Sequence, residues 1–494
     1  MSRLDDHVTL RGHRVPVGAY LDGRWTTTDA AFAVINPSDA DPLAEVAECG
    51  PAEALRGLDA AAASQEAWRS VPPRQRAELF HHAHSLMLER VDAFTDVMVL
   101  ESGKPRAEAE GEFGLSAGFF RWYAEQIAHL HGTYSDATTG GYRVVTTHQP
   151  VGPSFLVTPW NFPLLMAARK AGAALAAGCT VLMKSAKETP LTAALFTQVL
   201  HDAGFPAGVV NLVHTTDSAA VSEAVLPDPR LRKISFTGST GVGSTLLSAA
   251  ARNIVNSSME LGGDGPFVVL DDADIEHAVE QAVACKFRNA GQACVAANRI
   301  ILHRDIAEEF TERFVERAEA LRVGDGFDGV DVGPIITQSQ LERVGALVTR
   351  FVEAGAEVLT GGRELDAKGF FYEPTVLRVS GRGGEFCNEE LFAPVAALYT
   401  VDSAEEAVDF ANDTRYGLAS YVFTRDLNAA FAISERLDFG MVGINRGIMA
   451  DPAAAFGGIK ESGLGREGGH EGIYEFLEPK YLAITVDEKR VMNR

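Results

Sequence analysis

The sequence contains little cysteine, and its cysteines are too widely spaced to form a recognisable binding motif. Five occur among the 494 residues, an odd number, and no two of them have the Cys-X-X-Cys spacing. Disulfide-stabilised proteins and zinc modules need paired or closely spaced cysteines. We therefore expect neither a disulfide framework nor a metal site from Cys49, Cys179, Cys285, Cys294 and Cys387.

Long apolar runs and an excess of positive charge are also missing. The N-terminal segment MSRLDDHVTL has no apolar signal core, and stretches such as 156–166 are interrupted by proline and asparagine. We therefore expect no membrane-spanning segment. The formal net charge of -23 disfavours nucleic acid and anionic membrane surfaces as partners, because both are negative. We expect a cytoplasmic protein that binds neither nucleic acid nor a membrane.

The length and the apolar pattern predict an α/β protein of at least two domains. The chain has 494 residues, 46% of them hydrophobic, whereas single cores stop growing near about 250 residues. Residues 51–130 show the apolar spacing of helices. From Val151 onward short apolar runs alternate with helical stretches, and this alternation resumes after residue 262. Such alternation is typical of parallel βαβ units, so we expect two α/β domains joined near 258–265.

Two segments depart from this alternation, 141–150 and 480–487. In both of them apolar and polar residues alternate one by one, which is the pattern of a strand with two different faces. We expect these segments to form an edge hairpin or strands that are exchanged between subunits.

Three polar residues lie in loops or at strand ends, where catalytic groups are common. Cys294 lies in FRNAGQACVAANR, Glu260 in SSMELGGDGP and Asn161 in TPWNFP. A thiolate can attack a carbonyl carbon, a carboxylate can take a proton from water, and an amide can donate to an oxyanion. Taken singly, each is more often structural, as a buried thiol, a capping carboxylate or a turn residue.

A fourth segment, SFTGSTGVGSTLL (235–247), places glycines between a predicted strand and a predicted helix. Backbone amides at the N-terminus of a helix attract phosphate groups. Because the spacing is not Gly-X-Gly-X-X-Gly, the segment by itself is also compatible with an ordinary tight turn.

Taken together, six segments resemble the aldehyde dehydrogenase superfamily in their order and spacing, over nearly the whole chain. They are TPWNFP, FTGSTGVG, MELGG, GQAC, EELFAPV and FGGIKESGLGREGG. The resemblance implies NAD(P)-dependent oxidation of an aldehyde through a thiohemiacetal and a thioester. Cys294 would be the nucleophile and Glu260 the general base, while Asn161 and the backbone N–H of Cys294 would form the oxyanion hole.

The same resemblance implies an aldehyde dehydrogenase-like fold with a Rossmann-type cofactor domain, an α/β catalytic domain and a small β oligomerisation arm. The cofactor-binding domain would comprise residues 1–130 and 151–261, the catalytic domain residues 262–471, and the arm residues 131–150 and 472–494. A homodimer or homotetramer would follow, because the family exchanges strands between subunits.

Positions that match the family's cofactor site favour NADP over NAD. NAD-using members commonly carry a glutamate where this chain has Lys187, and a lysine would attract the 2′-phosphate that a carboxylate repels. Alternatively, Lys187 points to solvent and either cofactor is accepted. The resemblance assigns contacts with the phosphates to Gly238, Ser239 and Gly243, with the adenosine ribose to Lys184, with the nicotinamide ribose to Glu390 with Phe392 beside it, and a wall of the pocket to Trp160.

Within the superfamily the chain resembles the succinate-semialdehyde dehydrogenases most. These enzymes bind the distal carboxylate of the substrate with arginines at the positions of Arg169 and Arg288. They often carry a serine in the loop before FGG, where this chain has Ala450. We therefore expect succinate semialdehyde first, with glutarate semialdehyde as an alternative.

A further alternative is an aliphatic or aromatic aldehyde without a carboxylate, in which case both arginines would pair with protein carboxylates. An enzyme that transfers the acyl group to coenzyme A is disfavoured, because Glu260 provides the base that activates water. A non-catalytic protein of the same fold is disfavoured because Cys294, Glu260 and Asn161 are all present.

Overall fold

The first third of the molecule consists of six short strands followed by four helices. The computed structural model describes residues 6–382, 386 and 388–486, so that Cys387 and the end of the predicted arm lie outside the described residues. The predicted helical character of 51–130 is confirmed. The elements are β1 (His7–Leu10), β2 (His13–Pro16), β3 (Ala19–Leu21), β4 (Arg24–Thr26), β5 (Ala31–Ile35), β6 (Pro42–Ala47), α1 (Pro51–Arg69), α2 (Pro73–Glu89), α3 (Val91–Ser102) and α4 (Arg106–Gln126).

In the middle of the chain the predicted alternation of strands and helices is confirmed. Helices begin at Pro163 and Pro190, since a proline at the first helical position loses no intrahelical hydrogen bond, and Gly178 ends the first of them with a left-handed φ of 93°. The elements are β7 (Thr133–Asp136), β8 (Tyr142–Pro150), β9 (Ser154–Val157), α5 (Pro163–Ala177), β10 (Val181–Lys184), α6 (Pro190–Asp202), β11 (Val210–Val213), α7 (Ser218–Val225), β12 (Lys233–Thr237), α8 (Thr240–Ala250) and β13 (Asn256–Glu260).

The alternation resumes in the last part of the chain, as predicted. Asp274, Ser403 and Asp426 each accept a backbone N–H at the start of a helix and so cap it. The elements are β14 (Gly265–Val269), α9 (Ile275–Phe287), β15 (Ala297–His303), α10 (Arg304–Glu319), α11 (Gln338–Glu353), β16 (Glu357–Thr360), β17 (Thr375–Arg378), β18 (Val395–Val401), α12 (Ala404–Asn412), β19 (Ala419–Phe423), α13 (Leu427–Arg436), β20 (Met441–Ile444), β21 (Gly463–Leu464), α14 (Glu471–Tyr474) and β22 (Leu477–Thr485).

The first large sheet has eight strands in the order β21-β13-β12-β9-β10-β11-β3-β4. Its five central strands are parallel, and both edges carry antiparallel strands. From β9 the chain continues to β10 and β11 on one side and then crosses to β12 and β13 on the other. The order of strands therefore reverses between β9 and β12, and ligands of such sheets bind in the crevice beyond the carboxyl ends at that point.

The second large sheet has seven strands in the order β16-β17-β18-β15-β14-β19-β20. All neighbouring strands are parallel except the edge pair β16 and β17. This sheet also winds in both directions, from β14 toward β15 and from β14 toward β19. The loop that carries Cys294 enters it directly before β15.

The third sheet consists of β7, β8 and β22 and stands apart from the other two. Strand β22 pairs antiparallel with the whole of β8, from Leu477 opposite Pro150 to Thr485 opposite Tyr142. The two segments with alternating apolar and polar residues are therefore strands that pair with each other within one chain. They do not form a hairpin with each other, and the exchange of strands between subunits stays a prediction. Most of β22 is exposed. No helix among the described residues is both long and apolar enough to cross a membrane.

The buried apolar side chains divide at the loop between the two large sheets. Two clusters contain residues up to Leu261, together with residues 473–477, and the third contains residues 267–439. The division falls where the sequence predicts the joint, at 258–265. The exact limits of the three predicted domains stay a prediction.

Candidate active site

A cavity of about 310 Å³ opens at the point where the strand order of the first sheet reverses. It brings together seven of the residues that the sequence singles out, namely Trp160, Asn161, Gly238, Ser239, Cys294, Glu390 and Phe392. Five lining residues were not predicted: Pro159, Thr237, Leu261, Gln340 and Arg343. The other predicted residues lie outside this lining: Glu260, Arg169, Arg288, Ala450, Lys184, Lys187 and Gly243.

The loop before β15 presents the Cys294 thiol to this cavity through an unusual backbone. Asn289, Ala290 and Gly291 have φ values of 54°, 55° and 70°, and three left-handed residues in succession are rare outside functional sites. A Cβ atom on Gly291 would lie 2.0 Å from the carbonyl oxygen of Ala393. Only glycine fits there, which explains the glycine of the GQAC segment.

Burial raises the pKa of the Cys294 thiol to about 12, and the nearby carboxylates of Glu390 and Glu260 act in the same direction. The guanidinium of Arg169 opposes them. In the protein without ligands the sulfur is therefore a neutral thiol at pH 7. Because the thiolate is the reactive form, a nearby positive charge or a proton acceptor must ionise it before it attacks a carbonyl.

Asn161 lies four residues beyond the end of β9 and is buried. Its Oδ1 accepts the N–H of Phe162 at 3.1 Å, and its Nδ2 donates to the carbonyl of Gln292 at 3.1 Å. The second bond reaches the residue two positions before Cys294, so the amide is tied to the loop that carries the thiol. The other amide hydrogen is available to an oxygen atom in the cavity.

Glu260 is the last residue of β13, and its carboxylate is buried with one oxygen, Oε2, that has no hydrogen-bond partner in the described part of the chain. Burial and the charge of Glu467 raise the pKa of Glu260 well above its ordinary value, against the opposing charges of Arg169 and Lys170. A Cβ atom on Gly457 would lie 2.9 Å from Glu260 Oε1. An unpartnered, weakly acidic carboxylate of this kind can accept a proton from water.

Arg169 does not present a free guanidinium, contrary to the expectation of two arginines available to a substrate. Its Nε lies 2.5 Å from Glu467 Oε2, and its guanidinium carbon lies 4.2 Å from the centre of the Phe456 ring. Lys170 Nζ lies 2.5 Å from the other oxygen of Glu467 and donates to Ser235. Burial alone would raise the pKa of Glu467, but the two cations outweigh burial and hold it below its ordinary value.

Arg288 is half-buried and has no ion pair with any described carboxylate. Its guanidinium carbon lies 5.4 Å from the centre of the Phe162 ring. Burial raises the pKa of the neighbouring Glu108 to about 7, although the charges of Lys104 and Arg288 lower it. Arg288 is thus a cation without an ion pair to a described carboxylate. It lies at the C-terminal end of α9, six residues before Cys294.

Ala450 is exposed in the segment between β20 and β21. This segment packs on α9, where the N–H of Gly447 donates to Gln281 Oε1 at 2.8 Å. A Cβ atom on Gly447 would lie 3.2 Å from the Cβ of Cys285, on the same helix. The loop therefore lies against the helix that leads to Arg288.

The predicted phosphate residues lie at the start of α8. Ser239 is the residue before the helix, and its Oγ accepts the N–H of Val242 at 3.5 Å. Gly238 and Gly243 are tightly packed, since Cβ atoms on them would lie 2.4 Å from the rings or methyl groups of Phe236 and Leu261. The exposed helix start and its free backbone N–H groups suit a phosphate.

Of the two predicted lysines, Lys184 is the last residue of β10, which neighbours β9, and Lys187 lies three residues beyond it. Lys184 is buried, its Nζ donates to Ser218 Oγ at 2.9 Å, and burial lowers its pKa to about 8. Lys187 is exposed, with its Nζ 4.0 Å from Glu188 Oε1. One lysine is held in the protein interior, while the other is free to reach a ligand.

Glu390 and Phe392 close the cavity on the side of the second sheet. Glu390 Oε1 accepts the N–H of Gly263 at 3.2 Å, and burial raises the pKa of Glu390 to about 7. Phe392 has a left-handed φ of 47°, and its ring stands almost perpendicular to Trp160 with the ring centres 5.5 Å apart. Strained backbone of this kind is common at ligand sites.

A family model described as "Aldehyde dehydrogenase family" matches residues 25–482 of the chain. The chain belongs to the aldehyde dehydrogenase family. A succinate-semialdehyde dehydrogenase of Paenarthrobacter nicotinovorans is 46% identical over 444 residues, which are 90% of this chain and 99% of the relative. The succinate-semialdehyde dehydrogenase [NADP(+)] of Escherichia coli is 41% identical over 469 residues, 94% and 97% of the two chains.

A crystal structure described as an E. coli NADP dependent enzyme superposes with a TM-score of 0.94 at 40% identity and covers 96% of this chain and 98% of the other. The predicted fold class is thereby confirmed, and the chain is an oxidoreductase of the aldehyde dehydrogenase family.

Sequence reasoning missed several charged residues of this aldehyde dehydrogenase. Glu467 pairs with both Arg169 and Lys170 and lies near Glu260. Lys170 directly follows Arg169, and Glu467 lies in the GLGREGG segment that the sequence already singles out. Arg343 donates to the carbonyl of Leu391 at 2.6 Å and so holds the segment that carries Phe392. It lies on α11, where no motif marked it.

Proposed function

We propose that this aldehyde dehydrogenase oxidises an ω-carboxy aldehyde, with succinate semialdehyde as the first candidate, and that NADP is its preferred cofactor. The observation that carries the proposal is the cavity in which Cys294 and Asn161 face the residues that match a cofactor site. Arg288, which forms no ion pair with a described carboxylate although Glu108 lies near it, supports a substrate with a distal anion.

Cys294 and Asn161 supply the first chemical step in this proposal. The ionised sulfur attacks the aldehyde carbon, a C–S bond forms, and the carbonyl oxygen becomes an oxyanion. The free amide hydrogen of Asn161 and the backbone N–H of Cys294 donate to that oxygen. Removal of one such donor typically costs about 10²–10³-fold in rate.

Glu260 supplies the last step. Its unpartnered Oε2 accepts a proton from a water molecule, and the resulting hydroxide attacks the thioester carbon. The C–S bond then breaks, the Cys294 sulfur leaves as a thiolate, and the carboxylate product is released. The raised pKa of Glu260 suits this role, because a base with an ordinary carboxylate pKa would hold an abstracted proton only weakly. Lys170 and Arg169 compensate the charge of Glu467, so that Glu260 is the carboxyl of this cluster that takes up the proton.

The residues around the cavity are suited to a nicotinamide dinucleotide. The helix start at Ser239 can hold the pyrophosphate, the buried Lys184 can hold the adenosine ribose, and Glu390 can hold the nicotinamide ribose. Thr237 Oγ1 is buried beside them without a described partner. When bound, the cofactor supplies the acceptor for the hydride that leaves the thiohemiacetal. The exposed Lys187 supports the 2′-phosphate of NADP.

The two arginines contribute unequally to substrate binding in this proposal. Arg288 binds the distal carboxylate directly, whereas Arg169 shares its charge with Glu467 and contributes a second, weaker attraction. Ala450 offers no hydroxyl to the same carboxylate. Glutarate semialdehyde therefore stays a candidate, since the Ala450 side chain cannot select the length of the substrate's carbon chain through a hydrogen bond.

A second candidate is an aldehyde without a carboxylate. The ion pair between Arg169 and Glu467 favours it, because one of the two predicted carboxylate ligands already has a protein partner. The unpaired Arg288 argues against it.

The experiment compares kcat/KM for succinate semialdehyde, glutarate semialdehyde and butyraldehyde with NADP, in the native enzyme and in the Arg288→Met and Arg288→Lys variants. We expect Arg288→Met to raise KM for the semialdehydes by about 10-fold or more, since a charge-assisted hydrogen bond contributes about 1.5–3 kcal/mol. Butyraldehyde should be nearly unaffected, and Arg288→Lys should recover part of the loss. Equal kcat/KM for succinate semialdehyde and butyraldehyde in the native enzyme would establish the second candidate instead.

We further propose that the protein is a cytoplasmic homodimer or homotetramer. The four described cysteines are free, which suits a reducing compartment. The exposed strands of the third sheet support contact with a second copy, because exposed apolar side chains in such number favour an interface.

A further inference from the structure

Helix α4 does not line the cavity that holds Cys294. Two of its carboxylates nevertheless bind the two segments that form the proposed oxyanion hole, one at Asn161 and one before Cys294. Glu108 and Glu112 are four residues apart and so lie on one face of the helix. Glu112 is almost fully buried. None of the residues that line the cavity belongs to α4.

Glu112 caps the helix that follows Asn161. Its Oε1 accepts the N–H groups of Leu164 and Leu165 at 2.9 and 3.1 Å, which are among the first free N–H groups of α5. The residue before α5, Phe162, makes no capping bond with its own side chain. The start of α5, and with it the backbone at Asn161, is therefore held by a carboxylate from another helix.

Lys104 links this cap directly to Asn161. Its Nζ lies 2.5 Å from Glu112 Oε2 and donates to the backbone carbonyl of Asn161 at 2.8 Å. The ammonium group also lies 4.6 Å from the centre of the Phe162 ring. Both charged side chains are only 1% exposed. Since an unpaired buried charge is costly, each of the two holds the other in place.

Glu108 binds the opposite side of the oxyanion hole. Its Oε2 accepts the N–H of Asn289 at 2.8 Å, at the first of the three left-handed residues before Cys294. The Asn289 side chain donates to the carbonyls of Asn161 and Gln292 at 3.0 and 3.1 Å. One face of α4 thus contacts both the segment with the amide donor and the segment with the thiol.

We propose that Glu108, Glu112 and Lys104 are positioning residues that set the distance between the Asn161 amide and the Cys294 backbone N–H. The inference rests on the proposed function, because it assigns these two groups to an oxyanion. Stabilisation of an oxyanion depends steeply on geometry, and a displacement of about 1 Å can cost roughly 100-fold in rate. The three residues would act on the rate of acylation, and the affinity for an ester without a distal carboxylate, which does not need Arg288, would stay almost unchanged.

The chain offers a matched control for Glu112. Glu101, on α3, is equally buried and caps α6 in the same way, accepting the N–H groups of Leu191 and Thr192 at 2.8 and 2.9 Å. Helix α6 follows β10, and its start reaches this region through one bond, from Thr189 Oγ1 to the carbonyl of Trp160 at 3.5 Å. Loss of either carboxylate removes a buried cap, but only Glu112 is linked through Lys104 to the carbonyl of Asn161 itself.

The test uses p-nitrophenyl acetate, which acylates a thiol without cofactor or aldehyde. The Cys294 thiolate attacks the ester carbon, a tetrahedral oxyanion forms, and its collapse makes the thioester and expels p-nitrophenolate. The rate of the first turnover is followed by the absorbance of that product in the native enzyme, Glu112→Ala, Glu108→Ala and Glu101→Ala. The Cys294→Ala variant gives the background, and far-UV circular dichroism gives the folded fraction by which each rate is divided.

We expect Glu112→Ala and Glu108→Ala to lower the acylation rate per site by about 10- to 100-fold, with the ester concentration at half-maximal rate changed by less than about threefold. Glu101→Ala should lower the melting temperature without changing the rate per site. Equal rates per site in Glu112→Ala and Glu101→Ala would overturn the proposal. Should Glu112→Ala not fold, Glu112→Gln keeps the single oxygen that caps α5 and loses only the bond to the Lys104 charge, whereas Glu101→Gln loses one of the two oxygens that cap α6. We then expect a lower rate per site in Glu112→Gln and an unchanged rate per site in Glu101→Gln, and equal rates would again overturn the proposal.

This assay separates the inference from the proposed function. Absence of aldehyde oxidation in the native enzyme would contradict the proposed function alone, since ester acylation of Cys294 would still report on the oxyanion hole. Normal aldehyde oxidation together with unchanged acylation in Glu112→Ala and Glu108→Ala would contradict the inference alone.

Discussion

At the scale of single residues, burial raises the pKa values of both groups that the proposed function assigns to the chemistry. The pKa of the Cys294 thiol is raised to about 12, and that of the Glu260 carboxyl lies well above its ordinary value. The apolar surroundings therefore protect the sulfur from adventitious reaction until a ligand changes the local charge.

This arrangement predicts how alkylation of the ligand-free enzyme depends on pH. Only the thiolate reacts, and at any pH below its pKa the thiolate fraction rises with pH. We expect the rate constant for iodoacetamide to rise about tenfold per unit between pH 7 and pH 9. The measurement is the loss of activity with time at each pH, with Cys294→Ala as the control for labelling elsewhere. A rate that is constant above pH 7 would mean that the thiol is already ionised.

A second prediction concerns Lys187, whose side chain is exposed and only 4.0 Å from Glu188. Lys187→Glu replaces a charge that attracts the 2′-phosphate by one that repels it. We expect the ratio of kcat/KM for NADP to that for NAD to fall by about tenfold or more, equivalent to about 1.4 kcal/mol. Lys368→Glu makes the same change of net charge at another exposed lysine and should leave the ratio unaltered. An unchanged ratio in Lys187→Glu would show that Lys187 does not contact the phosphate.

At the scale of elements, the turn between α9 and β15 is the most constrained part of the site. Gly291 has a φ of 70°, and a Cβ atom there would lie 2.0 Å from Ala393 O. Gly291→Ala therefore must displace either the turn or the segment that leads to Phe392. We expect acylation of Cys294 to fall by about 100-fold and the melting temperature to decrease, measured by ester turnover and by thermal unfolding.

Gly111→Ala is the control for this substitution. Gly111 lies in α4 with nothing within 4 Å of the added Cβ, so alanine there should stabilise the helix by about 0.5–1 kcal/mol. If Gly291→Ala, like Gly111→Ala, left the acylation rate and the melting temperature undiminished, the left-handed turn would have no part in positioning the thiol.

The elements of the two large sheets were largely predictable because most strands between residues 151 and 303 are apolar runs followed by a helical stretch. The strands before residue 50 have only three to six residues, too few for a clear period. Strand β13 has the polar sequence NSSME, and it lies in the interior because β12 and β21 flank it. The spacing of apolar residues could not show which strands flank β13.

Motifs in the sequence predicted most residues of the candidate site, but they did not predict which of its charged residues pair with each other. Cys294, Asn161 and Glu390 stand in short segments that the family resemblance marks, and the fold brings them to one cavity. The pairing of Arg169 with Glu467 joins residues almost 300 positions apart. A guanidinium that could bind a substrate and one that binds a protein carboxylate look the same in the sequence, so only the packing of α5 against the C-terminal segment distinguishes them.

At the scale of the whole molecule, the third sheet exposes apolar side chains that contact with a second copy of the chain would bury. Tyr134, Tyr481, Leu482 and Ile484 are exposed there. We expect the native enzyme to be oligomeric and the double variant Leu482→Asp with Ile484→Asp to shift it toward monomers, measured by light scattering during size-exclusion chromatography. Leu427→Asp, at an exposed leucine of α13, should leave the assembly intact. A monomeric native enzyme would contradict the prediction.

The antiparallel pairing of β21 with β13, which places Gly463 opposite Glu260, has a consequence for synthesis of the protein. The ribosome must add about two hundred residues after Glu260 before the partner strand emerges, which at cellular elongation rates takes roughly 10–40 s. Throughout that time the edge of the sheet at Glu260 has no partner strand. Because an unpaired edge can pair with another chain, we expect the growing chain to be most prone to aggregation during this interval.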